Sequence, residues 1–198
     1  IRTVLNTCLQ MFFDRNVQRM FKKPDIDIGK LRQEQSVIYI QIPEHHSDYY
    51  SPLVATFLTQ LFDYLLDNDG LQVYFLLDEL ANIGLIPSFS KLLSTARKHN
   101  ISITGAIQSL TQLSTVYGEL EGKQLSELFK TLLVCGGLRD SAEYISNLLG
   151  TKVYYKKETK YTEPLMTPEE IRMMDKNDML IICNNKRPVK DKMMEILV

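Results

Sequence analysis

Asp78 and Glu79 are the residues best placed for chemistry, two adjacent carboxylates closing the apolar run Tyr74-Phe75-Leu76-Leu77. A short apolar run of this kind reads as a strand buried on both faces of a parallel sheet. Acids at the carboxyl end of such a strand lie where open α/β sheets bind their ligands. In nucleotide-hydrolysing P-loop proteins the same order is the Walker B arrangement. Its aspartate holds Mg²⁺, usually through water, and its glutamate polarises the attacking water. The pattern is short, and an ordinary buried strand ending at a solvated Asp-Glu turn fits it equally well.

Three further features stand at element ends and are expected on the same edge of the sheet. Gln108 follows the run Ile101–Ala106 by two residues, where its amide would reach a γ-phosphate or its attacking water; a helix cap or a surface residue is the plain alternative. Arg97, beside Lys98 and His99, has the forked guanidinium that suits phosphate oxygens and would reach a neighbouring subunit's nucleotide. It equally fits a cation at a helix carboxyl terminus. Arg139-Asp140 follows Gly136-Gly137 and would either touch nucleotide or cap the next helix. His45-His46 and His99 lack the spaced carboxylates or cysteines of a metal site.

A phosphate loop needs a glycine-rich turn ending in Gly-Lys-Ser/Thr between a strand and a helix. The nearest match, Gly118-Glu119-Leu120-Glu121-Gly122-Lys123-Gln124, is one residue short and follows a helix. It places Gln124 where a hydroxyl must meet Mg²⁺, and its two glutamates would repel phosphate. It is not a phosphate loop.

The elements that must position these residues alternate along the chain. Helical spacing covers 1–13, and a charged, irregular stretch follows over 14–35. Ser36–Ile42 reads as a strand stopped by Pro43. Ser51-Pro52 opens a helix to about Asp67, and Asn68-Asp69-Gly70 turns into the strand Gln72–Leu77. Ser88 caps a helix to about His99, and Ile101–Ala106 is the next strand. Helices over 110–117 and 119–130 break at Gly118. The strand Thr131–Cys135 leads to a helix capped by Asp140 and closed by Gly150. The strand Lys152–Lys157, a capping start at Thr167-Pro168-Glu169-Glu170, the strand Met179–Cys183 and a basic hairpin arm over Arg187–Lys192 complete the series. Strands separated by helices of this length imply βαβ units and a three-layer α/β domain.

With 198 residues, 44% hydrophobic and 24% charged, the chain suits a soluble globular domain. Its net charge of −1 supplies no global field for nucleic acid, so any such contact must be local. Cys8, Cys135 and Cys183 show neither metal nor disulfide spacing, which fits a reducing cytosolic compartment. The longest helical apolar stretch, Leu53–Leu66, is interrupted by Thr56, Thr59, Gln60 and Asp63 and reads as a core-packing helix. The chain begins at Ile1 and is expected to be a piece of a longer protein.

The series FLLDELANIGLIPSFSKLLSTARKHNISITGAIQSLTQLSTVYG resembles the conjugative coupling proteins of type IV secretion, the TraG/TraD-like DNA-transfer ATPases. SVIYIQIP, TLLVCGGLRD, SAEYISNLLGT, LMTPEEIRMM and NNKRPVKDK are similar to later and earlier segments of the same family. The resemblance implies a RecA-like P-loop NTPase fold with a mostly parallel sheet, here a fragment without the phosphate-loop unit. Residues 1–35 would end the family's all-helical insertion, and residues 36–198 would form the carboxyl-terminal part of the nucleotide-binding domain. It implies ATP and Mg²⁺ as cofactors, with Asp78 as the Mg²⁺ acid, Glu79 as the catalytic glutamate and Gln108 as the γ-phosphate sensor. Arg97 would be offered to the adjacent subunit's ATP. The partners implied are DNA carried by a relaxase, the secretion channel and further copies in a hexamer. The setting would be the cytoplasmic face of the bacterial plasma membrane, reached through segments absent here. This fragment is expected to be inactive by itself. Lys22-Lys23, Lys156-Lys157 with Lys160, and Lys186-Arg187 with Lys190 and Lys192 are the basic spots where DNA would be met, or else solvated faces. A non-catalytic docking module and a HerA- or FtsK-like translocase are the competing readings.

Overall fold

In a computed structural model, residues 9–22, 26–138 and 140–193 are described. The expectations on the first eight residues, on Lys23 and Pro24 and on Arg139 lie outside them. The chain divides into two units, Ile1–Ile107 and Gln108–Val198.

The first unit is built around a parallel pair. β1 (Val73–Leu77) runs alongside β2 (Ile101–Gly105), in register from Val73 opposite Ile101 to Leu77 opposite Gly105. A parallel pair needs a crossover, supplied here by the helix α3 (Phe89–Ala96). The α2 helix (Ser47–Asp67) lays Phe62 against Phe75 of β1, ring centroids 4.4 Å apart, and Phe89 of α3 stands 6.5 Å from Phe62. Phe75 and Leu77 point into this core, whereas Tyr74 and Leu76 are 67% and 79% exposed. The expected burial on both faces is therefore corrected: the helices of this unit cover one face of β1.

Several element ends also differ from expectation. The short helix α1 (Arg15–Met20) lies in the stretch expected to be irregular. The Asp14 carboxylate accepts from the Asn16 and Val17 amides, and Val17 is buried. The α2 helix starts four residues before Ser51, so Pro52 is internal. Proline cannot donate to the Asp48 carbonyl, and the Ser51 hydroxyl donates to it instead at 3.3 Å. Ser88 stands at the start of α3 but in the left-handed region (φ 56°), without a side-chain cap. Ser36–Ile42 forms no strand, and Val37 and Tyr39 are 73% and 89% exposed. Apolar alternation marks what a strand would accept, but a ladder needs a partner, and none of the described strands runs beside this stretch.

Arg32 fastens the unit together. Its guanidinium is buried and donates to the Leu65, Leu71 and His99 carbonyls at 2.6, 2.7 and 2.7 Å. The end of α2, the approach to β1 and the approach to β2 thus share one cation. Gly70 lies against it, and a Cβ there would stand 2.4 Å from the Arg32 carbonyl oxygen.

In the second unit, β3 (Thr131–Cys135) pairs antiparallel with β6 (Asp178–Cys183), which pairs antiparallel with β7 (Val189–Lys192) in the expected closing hairpin. Val134, Leu180 and Ile182 form a core with Ile145 of α6 (Ala142–Leu149) and Ile171 of α7 (Pro168–Arg172). At the start of α7, Thr167 and Glu170 exchange the expected capping-box bonds. The bond that the Thr167 amide donates to the Glu170 carboxyl, with the Thr167 side chain close by, holds that carboxyl below its ordinary value. The residue before α6 is Ser141, not the expected Asp140. Helices α4 (Leu110–Tyr117) and α5 (Glu119–Leu128) part at Gly118. Gly122 lets them close up, since a Cβ there would stand 2.7 Å from the Ser114 amide nitrogen. Of the glycines in the rejected phosphate loop, Gly122 thus has a packing reason and Gly118 a conformational one, its φ of 82° at the helix break. The strand expected at 152–157 is β4 (Thr151–Lys156), and it folds back into an unexpected partner, β5 (Thr159–Pro164).

Candidate functional site

The β1–β2 ladder continues past its strands at the carboxyl edge. The Ala106 amide donates to the Leu77 carbonyl and the Leu80 amide to the Ala106 carbonyl, both at 2.9 Å. Leu77 and Leu80 are both buried, so the chain must swing out and return between them. Asp78 and Glu79 occupy that excursion. Glu79 makes the turn in the left-handed region (φ 50°, ψ 52°), a conformation that costs a residue with a Cβ about 1–3 kcal/mol. Such strain is characteristic of functional turns held by their surroundings. Here the Asn82 amide donates to the Glu79 carbonyl at 2.7 Å, and the Asn82 side chain donates to the Glu79 carboxylate at 3.3 Å.

Asp78 is exposed and enters no hydrogen bond or ion pair among the described residues. A free carboxylate at this edge suits a hydrated Mg²⁺, which keeps several waters and takes few protein ligands. The described residues hold no cluster of three or more His, Cys, Asp or Glu. A cation here would therefore complete its shell with water and phosphate oxygens. The residue types fit the nucleotide–metal pair that the motif implies.

Arg97 is not on this edge. It opens the turn Arg97–His99 that leads directly into β2, and the next carbonyl, of Asn100, accepts from the Val73 amide at the start of β1. It therefore lies at the amino edge, about 16 Å of strand away from the acids. The crossover helix carries the chain back along the strands before β2 begins, so a residue at its end cannot share the carboxyl edge. Arg97 is exposed and has no ion-pair partner among the described residues.

Gln108 is the first residue of the second unit. Its amide donates to the Gln112 side-chain carbonyl at 2.9 Å, which also accepts from the Ser109 amide at 3.3 Å. The Leu110 amide donates to the Ser141 hydroxyl at 3.1 Å. Gln112 and Ser141 thus fix the backbone around Gln108. Asn82 and Gln112 were both missed in the sequence. Ser109-x-x-Gln112 carries a capping-box signature, whereas Glu79-x-x-Asn82 has no general signal. Of the basic spots, Lys190 is already paired with Asp178 at 2.7 Å.

A family model described as type IV secretory system conjugative DNA transfer matches residues 1–194. The chain belongs to this conjugative DNA transfer family. Protein VirD4 of Rhizobium rhizogenes and protein VirD4 of Agrobacterium fabrum are each 22% identical over 204 residues. These matches cover 92% of the chain but 30% of either relative, so the chain spans under a third of their length. Among solved structures, plasmid coupling protein TrwB with a non-hydrolysable ATP analogue superposes with a TM-score of 0.77 at 22% identity. That match covers 86% of this chain and 43% of TrwB. TrwB with a GTP analogue gives 0.70 at 23% identity, covering 77% and 39%. TrwB with ADP and Mg²⁺ gives 0.69 at 23% identity, covering 76% and 38%. The fold of this conjugative DNA transfer chain is thus the α/β, RecA-like one expected, although three of the four pairings among the described strands are antiparallel. Its parallel pairing is β1–β2 among the described strands.

Proposed function

We propose that the chain is the carboxyl-terminal part of the motor of a coupling ATPase that drives DNA transfer through a type IV secretion channel. The observation that carries this reading is the Asp78-Glu79 excursion at the carboxyl edge of β1–β2, with Glu79 held left-handed and its carboxylate met by Asn82. A docking scaffold has no use for that strain. The TrwB structures with nucleotide analogues and with ADP and Mg²⁺ support ATP and Mg²⁺ as cofactors.

Bound ATP with Mg²⁺ supplies the transferable phosphoryl group and neutralises its charge. In this reading Asp78 holds the hydrated metal, Glu79 orients the attacking water and accepts its proton, and Asn82 keeps Glu79 aimed. Gln108 senses the γ-phosphate. Arg97, at the edge opposite its own acids, reaches the nucleotide of an adjacent subunit in a hexamer. Residues 1–35 end the all-helical insertion, and residues 36–198 belong to the nucleotide-binding domain. Relaxase-bound DNA and the secretion channel are the partners, at the cytoplasmic face of the membrane. No helix among the described residues is long and apolar enough to cross a bilayer; in this reading the membrane anchor belongs to further segments of the full-length protein. The phosphate-binding half of the site would also belong to those segments, and the chain alone would not turn over ATP.

Subunit mixing tests this reading. Full-length Arg97→Ala and Glu79→Gln proteins should each be inactive, and mixing them should restore DNA-stimulated ATP hydrolysis. If no mixing ratio recovers turnover, Arg97 does not act across subunits; if wild type shows no DNA-stimulated hydrolysis, the motor reading fails.

A further inference from the structure

The β4–β5 hairpin is the part of the second unit least explained by its own packing. Apart from the half-buried Glu163, every residue from Thr151 to Pro164 is exposed, and a two-stranded hairpin is only marginally stable in water. Cross-strand aromatic pairs help to hold such a hairpin together. This one displays three aromatic residues, Tyr154, Tyr155 and Tyr161, with Tyr155 71% exposed.

The pairing register assigns its side chains to two faces, because residues directly opposite share a face. One face carries Lys152 opposite Glu163, Tyr154 opposite Tyr161, and Lys156 opposite Thr159. On it the two tyrosine rings lie nearly parallel (15°) with centroids 5.5 Å apart, and Lys152 pairs with Glu163 at 2.9 Å. That pairing raises the Lys152 pKa. The other face carries Val153 opposite Thr162 and Tyr155 opposite Lys160. Lys157 and Glu158 form the two-residue turn with φ of 47° and 67°. Both are left-handed, a conformation that Asn-Gly or Gly-Gly would adopt at less strain. The tip therefore carries charge where turn chemistry alone would choose glycine.

The hairpin holds four lysines against two glutamates in a chain of net charge −1. With Lys152 paired to Glu163, the cations left without an ion pair among the described residues are Lys156, Lys157 and Lys160, all at the tip. Aromatic rings flanked by unpaired lysines match a single nucleic-acid strand, whose bases stack on side-chain rings while its phosphates meet the cations. Protein interfaces, by contrast, are depleted in lysine. We infer that the β4–β5 hairpin grips a single nucleic-acid strand, with the exposed Tyr155 as the stacking ring, Lys160 beside it on the same face, and Lys156 and Lys157 at the tip as further phosphate contacts. That the strand is DNA rests on the conjugative reading above; the hairpin chemistry asks only for an unpaired strand.

The test is the fluorescence anisotropy of a labelled oligothymidylate with the full-length protein across a salt series, with basal ATP hydrolysis and oligomer size measured in parallel. Tyr155→Ala, which leaves the stacked tyrosine pair in place, should weaken binding roughly 5- to 100-fold. The triple variant Lys156→Gln/Lys157→Gln/Lys160→Gln keeps the strands and should flatten the salt slope by about 2. Basal hydrolysis without DNA should be unchanged in both, because neither variant touches the acid pair. Hairpin-dependent binding in a protein without ATPase activity would keep this inference and sink the motor reading. Wild-type affinity and salt slope in both variants would overturn the inference. So would a smaller oligomer with unchanged oligothymidylate binding, which would make the hairpin a contact with another copy.

Discussion

Replacing Arg32 with methionine tests how the first unit keeps β1 and β2 in place beneath the acid pair. The guanidinium makes three hydrogen bonds of 2.6 to 2.7 Å to carbonyls of Leu65, Leu71 and His99 and is only 4% exposed. Bonds from a charged donor contribute about 1.5–3 kcal/mol each, which sums to roughly 4–9 kcal/mol. Two effects offset part of this. The buried Nε–H has no acceptor among the described residues, a loss of about 1–3 kcal/mol. Burying a cation without a carboxylate partner also carries a desolvation penalty. The expected net loss in Arg32→Met is about 3–5 kcal/mol, comparable with breaking a buried charge interaction. With a urea slope of about 1–3 kcal/mol/M, the midpoint for the first unit should fall by about 2 M. Arg32→Lys keeps the charge but not the fork, and should fall between methionine and wild type. Urea denaturation followed by hydrogen exchange resolves the two units. Amides of Val73–Leu77 should exchange faster in Arg32→Met, while those of Thr131–Cys135 should not change. A stability within about 0.5 kcal/mol of wild type would refute the role assigned to the guanidinium.

Gly70→Ala should also destabilise the first unit, by about 1–3 kcal/mol in the same urea assay, because its Cβ would press on the Arg32 carbonyl oxygen. Asn82→Ala should lower kcat of the full-length enzyme about tenfold and leave nucleotide affinity unchanged, read by steady-state kinetics beside equilibrium nucleotide binding. Thr167→Ala should destabilise the second unit by about 1 kcal/mol in thermal denaturation. Glu170 titrates lower in the folded chain than its ordinary value of 4.5, so its contribution is complete above that pH and is lost as pH falls through the folded value. Glu170→Gln should therefore remove part of the acid-side loss of stability below about pH 4.5 and change little of the pH dependence near neutrality.

The acid pair, the β1–β2 strands and the helix break at Gly118 were legible because each rests on local pattern: an apolar run, a periodicity, a glycine. The Thr167 capping box was legible for the same reason. What the sequence hid depends on contacts far apart in the chain. Arg32 lay in a stretch expected to be irregular, and its partners stand 33, 39 and 67 residues away. Ser36–Ile42 has the composition of a strand, yet pairing is a property of neighbours rather than of the segment. Arg97 was placed on the wrong edge because spacing along the chain does not show which way a crossover helix returns. β5, with Lys160 and Glu163 among threonines, has no apolar alternation and is a strand only because β4 pairs with it.

Glu79→Gln in the full-length protein tests the central claim most directly, with nucleotide affinity and DNA-stimulated ATP turnover measured on the same preparation. The substitution preserves size and the bond from Asn82 while removing the base. Affinity should stay within about threefold of wild type while turnover falls by about 10²- to 10⁴-fold. Turnover close to wild type with intact nucleotide binding would contradict the account, because the left-handed glutamate at the end of β1 would then have no part in the chemistry.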